Sequence, residues 1–64
     1  MNTRGNQTER ELLDRLLGTA MQIQTIAEAG ELSDPRRART ALEGLRQRLS
    51  RDIRAIDAYL KRLP

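Results

Sequence analysis

Two stretches of helix-period hydrophobicity, separated by a short segment that holds both a helix terminator and a helix initiator, restrict this chain to a helical hairpin. In the first stretch apolar residues fall at Leu12, Leu13, Leu16, Leu17, Ala20, Ile23, Ile26 and Ala27, the recurrence of a 3.6-residue period. Gly30 follows as the natural left-handed terminator. Asp34 then stands before Pro35, where an aspartate can cap free amides and a proline at the first helical position forfeits no hydrogen bond. The second stripe runs through Ala38, Leu42, Leu45, Leu49, Ile53, Ile56, Leu60 and Leu63. Upstream, Thr8-Glu9-Arg10-Glu11 has the form of a capping box and predicts a helix beginning at Glu9. The expected architecture is all-α: an antiparallel pair of helices at about 9–29 and 35–63 forming one domain over 9–64, preceded by a polar tail over 1–8.

Size then limits how such a hairpin is stabilised. A single core below roughly 70–80 residues rarely supplies more than about 3–5 kcal/mol, and this chain has 64 residues with no cysteine for a disulfide. Completion of a helical bundle, by homodimerisation or with a partner protein, is the expected source of the remaining stability. Charge is distributed to suit an antiparallel arrangement. Residues 1–34 carry three arginines and six acids, whereas residues 35–64 carry eight arginines, one lysine and three acids. The N-terminus has no apolar stretch of the signal-peptide kind and no run approaches a membrane span, so a cytoplasmic location without a membrane span is expected.

With the turn at Gly30–Asp34, the apolar stripes predict a seam in which Ile23 meets Leu42, Ala20 meets Leu45, Leu16 meets Leu49 and Leu12 meets Ile53. The second helix then outreaches the first by about 12 Å. Ile56, Leu60 and Leu63, flanked by Tyr59, are left facing the polar tail, and with Ile53 they form spaced anchors for a partner. The apolar arc of the first helix is also too broad for one neighbour, which makes Leu12, Leu17, Met21 and Ile26 further candidate contacts. Gly18 falls on the predicted solvent side with no packing role. Gly44 lies beside Ala41, where a small residue could admit a second helix.

Catalytic chemistry finds little support in this inventory. The chain lacks His and Cys and carries Tyr59 as its single aromatic, which removes imidazole bases, thiolate nucleophiles and the usual zinc ligands. The acids Glu9, Glu11 and Asp14 are accounted for by the start of a helix, and Glu28, Glu31 and Asp34 by a solvated turn; neither group has calcium-loop spacing. No enzymatic role, cofactor or metal is therefore expected. Arg46, Arg48, Arg51 and Arg54 are the candidates for an alternative in which a dimeric four-helix bundle binds structured RNA or DNA. Glu43, Asp52 and Asp57 lie among these arginines at spacings that pair internally, as Arg39 with Glu43 and Arg48 with Asp52.

In architecture the pair resembles two groups of short helical hairpins. One is the RNA-binding four-helix-bundle dimers of plasmids; the other, through Leu32-Ser33-Asp34-Pro35 followed by a long helix, is the small co-chaperones of type III secretion. The likeness carries over no functional residue. The expected function is that of a small protein-binding module, an adaptor, inhibitor or chaperone-like regulator that offers an apolar helical face.

Overall fold

The computed structural model describes the backbone of residues 3–64 and the side chains of residues 9–64. The chain forms α1 (Thr3–Glu28), a 3-10 turn (Glu31–Ser33) and α2 (Pro35–Leu60), with no strand among the described residues. An all-helical chain of two helices agrees with the periodicity, and the helices pack side by side as a hairpin.

The turn follows its sequence signals closely. Gly30 adopts φ 64, ψ 30, a left-handed conformation that disfavours any residue with a Cβ. The Ser33 hydroxyl donates to the Gly30 carbonyl at 2.6 Å, and the Ser33 amide donates to the same carbonyl at 3.1 Å. Pro35 opens α2 and Asp34 holds the N-cap position, but the Asp34 side chain makes no capping bond.

Three features differ from expectation. α1 starts at Thr3 rather than Glu9, so Thr8 lies inside a helix and the box at Thr8–Glu11 does not mark its beginning. The Thr8 side chain itself is outside the described residues. Nothing in the segment after Met1 forbids this extension, since it holds no proline and a nucleated helix lengthens at little cost. Glu9 and Glu11 therefore lie beyond the first turn, away from the positive helix end. α2 finishes at Leu60 rather than Leu63. Its end tightens, with the Arg62 amide donating to the Tyr59 carbonyl at 3.0 Å and the Leu63 amide to the Leu60 carbonyl at 3.1 Å, which satisfies carbonyls that have no helical partner. Both helices thus have 26 residues, and the expected mismatch in length is absent.

The register also differs. Leu12 shares a surface depression with Ala55 and Tyr59, and Thr19 meets Asp52, so α1 lies about one helical turn further along α2 than the apolar stripes imply. The linker supplies the reason: Ala29 and Glu31 sit against Arg36, Arg37, Thr40 and Ala41. They occupy the level at which α1 was expected to pack.

The result is a thin, elongated molecule. Its extents are 50 × 18 × 13 Å and its radius of gyration is 14.9 Å, against about 10.7 Å for a compact chain of this length. Among the described residues Ile26 is the buried apolar side chain, at 7% exposure, while Thr19 at 4% and Asp52 at 3% are buried polar ones.

Candidate functional site

The centre of the hairpin is polar. Thr19 sits mid-way along α1 and donates its hydroxyl to Asp52 Oδ2 across the seam at 2.5 Å, a short charge-assisted bond. The Arg15 carbonyl, at 3.2 Å, is a second acceptor for the same hydroxyl. The Thr19 oxygen in turn accepts from Arg48 Nε at 3.0 Å, and Arg48 Nη1 donates to Gln22 Oε1 at 3.2 Å. Arg48 therefore reaches across to α1 instead of pairing with Asp52 along its own helix. Gly18 makes this possible, because a Cβ there would collide with Arg48 Nη2. The expectation that Gly18 faces solvent without a packing role is thereby corrected. Gly44 has open space around its Cα.

One atom of this cluster is unsatisfied: Asp52 Oδ1 is buried without a hydrogen-bond partner. A buried acceptor left unpaired costs about 1–3 kcal/mol, so the cluster contributes definition of register more than stability.

A polar centre displaces the apolar stripes. The burial of Thr19 and Ile26, with Leu12, Leu16 and Gln22 half-buried, sets the inward direction of α1; Asp52, with Ala41, Leu45, Arg48, Ala55 and Tyr59 half-buried, sets that of α2. At about 100° per residue, the apolar arc is centred roughly 70° away from the seam on each helix, turned in the same sense. Because the helices are antiparallel, the same sense of turn carries both arcs to one side of the pair. Leu13, Ile23, Leu42 and Leu49, three of them expected in the seam contacts, are instead exposed on that side. Ile53 and Leu60 join them, at 58% and 56% exposure, while Leu17, 61% exposed, points along the outer flank of α1.

The opposite side is polar. Depressions between the helices there are lined by Glu11, Arg15, Tyr59 and Arg62 at one level and by Arg15, Gln22, Gln47 and Arg51 at the next.

The residues singled out from sequence fall in several places. Ile53 and Leu60 lie on the apolar side and Leu63 is exposed just past the end of α2, whereas Ile56 is half-buried and Leu17 points along the outer flank of α1. Met21 is 66% exposed but points from the outer flank of α1 by the same angular count. Leu12 and Tyr59, both half-buried, line a depression that opens on the polar side, and Ile26 is buried in the seam. The four arginines do not converge. Arg46 lines a depression with Pro35, Arg39, Leu42 and Glu43, Arg51 lies on the other flank of α2 beside Gln47, and Arg48 is held in the seam. Arg54 is exposed.

Sequence reasoning missed Thr19, Gln22, Arg48 and Asp52 as partners. The one available signal was Gly18 next to Thr19 in a helix interior, where a glycine that lowers helix propensity by about 1 kcal/mol asks for a packing reason.

No protein-family model, curated protein or solved structure matches the chain. Among the described residues no group of three or more His, Cys, Asp or Glu could hold a metal ion, and no helix is long and apolar enough to cross a membrane.

Proposed function

We propose that this chain is a small non-enzymatic protein-binding module, an adaptor, inhibitor or chaperone-like regulator, that presents an apolar helical face to another helical chain. The observation that carries this reading is the apolar side itself: Leu13, Ile23, Leu42, Leu49, Ile53 and Leu60 are all exposed and, by their angles around the helices, lie on one side of the hairpin. Contiguous apolar surface of this kind marks an interaction site in a water-facing protein. Helix-in-groove contacts use such spaced anchors, with charged residues kept at the rim. The arginines support the nucleic-acid alternative less well, because a phosphate-tracking surface needs its cations on one side.

Photo-crosslinking tests the reading. A photoreactive side chain placed at Leu49 or Ile53 is expected to capture protein in cells of the native host, with yields that depend little on salt, and one placed at Gln47 on the polar side is expected to capture little. Capture of nucleic acid, or of protein from position 47 alone, would contradict the proposal.

A further inference from the structure

We infer that the occupant of the apolar side is a second copy of this chain, stacked so that α1 of one copy lies over α2 of the other in an antiparallel four-helix bundle. This rests on the reading of that side as a docking surface and names what docks there.

Three observations carry it. The first is area. The chain exposes 5649 Å², whereas a compact protein of 7.3 kDa exposes about 4,200 Å². Its 50 × 18 Å broad face is large enough to bury the ~800 Å² per partner of a standard stable interface. A hairpin 13 Å thick is a single layer, and helical domains need a second layer to close a core.

The second observation is rotation. Two helices that only had to satisfy each other would place their apolar arcs in the seam. Here the arcs are turned away from the seam toward one side, and the polar cluster of Thr19, Arg48 and Asp52 holds them there. In a square bundle the centre lies about 45° from the direction of each neighbour, so every helix needs apolar cover between its seam and its second neighbour. The arcs of α1 and α2 span that sector.

The third is charge, which selects among the stackings. A two-fold axis parallel to the helices sets α1 over α2 of the copy; an axis across them sets α1 over α1 and the arginine-rich α2 over itself. α1 carries three arginines and four acids, and α2 seven arginines and three acids, so the first arrangement joins opposite charges and the second sets the strongly basic α2 against itself. The flanks agree in detail. By the register of Thr19 against Asp52, Glu28 of one copy falls about one helical turn from both Arg39 and Arg46 of the other, and Arg10 about one turn from Asp57, along the outer edge of the stacked pair. These are edge pairs of the kind that set partner orientation in helical bundles.

The test is sedimentation equilibrium on the full chain from about 1 to 100 µM, with helicity recorded on the same samples. A dimer is expected in that range, with Leu49→Asp or Ile53→Asp shifting it to monomer. Glu28→Arg is expected to weaken the dimer by about 2–10-fold, since the pair occurs twice and a rim ion pair contributes little. Adding Arg46→Glu to Glu28→Arg in the same chain should restore it, because each copy then offers the swapped partner. A helical monomer at 100 µM would overturn the second copy as occupant while leaving crosslinking from Leu49 to decide the docking reading. A dimer that Glu28→Arg leaves unchanged, or that Arg46→Glu fails to restore, would overturn the α1-over-α2 arrangement.

Discussion

Replacing Thr19 by valine isolates the polar centre with almost no change in volume. The valine methyl occupies the place of the hydroxyl, so packing is retained. What is lost is the one donor to Asp52 and the one acceptor for Arg48 Nε. Asp52 already has Oδ1 unpartnered, so in Thr19→Val a buried carboxylate keeps neither oxygen paired. A hydrogen bond to a charged group contributes about 1.5–3 kcal/mol. Arg48 keeps Gln22 and can turn toward solvent, so its share is smaller. We expect a loss of about 2–3 kcal/mol, most of the ~3–5 kcal/mol available to a core of this size. The assay is urea unfolding followed by far-ultraviolet circular dichroism at one fixed protein concentration, because association adds to apparent stability. The double variant Thr19→Val with Asp52→Leu removes the orphaned charge along with its donor. It should recover most of the loss, as apolar replacement of a buried polar pair commonly does. A cost below about 0.5 kcal/mol for Thr19→Val, or a double variant no more stable than the single one, would refute the idea that this cluster holds the seam.

Other positions give independent checks by the same denaturation assay. Ile26→Ala empties the buried apolar position and should cost about 2 kcal/mol, the low end for a core aliphatic because the thin hairpin can relax around it. Gly44→Ala meets open space and should stabilise by about 0.5–1 kcal/mol through helix propensity alone. Gly18→Ala makes the same propensity gain but displaces the Arg48 guanidinium; it should be nearly neutral in the natural chain and clearly stabilising when Arg48 is already alanine. Gly30→Ala forces a Cβ into the left-handed region and should cost about 1–2 kcal/mol.

Much of the secondary structure was legible because its signals are local. Gly30 stops a helix since it alone enters the left-handed region freely, and Pro35 starts one since its ring fixes φ and its missing amide is not needed there. The start of α1 was misread from an equally local signal: a capping box states that a helix can begin at Thr8, and the absence of proline upstream let it begin sooner.

The seam was not legible for a different reason. Periodicity reports which side of a helix is apolar and nothing about which neighbour that side faces. With two helices in view, the economical guess places Leu12, Leu16, Ile23, Leu42, Leu49 and Ile53 against each other. The linker at Ala29 and Glu31 instead sits on the first turns of α2 and displaces α1. Thr19 then comes opposite Asp52, with Gly18 leaving room for Arg48.

Two helices, their turn, the opposed charge of the halves and more apolar surface than one hairpin can bury can all be read from the order of the residues. That the helices meet through a polar cluster and turn that apolar surface to one side follows from how they pack. The reason is that turn and helix signals are satisfied within a few residues, whereas the angle at which a helix presents its faces is set by contacts between residues far apart in the chain.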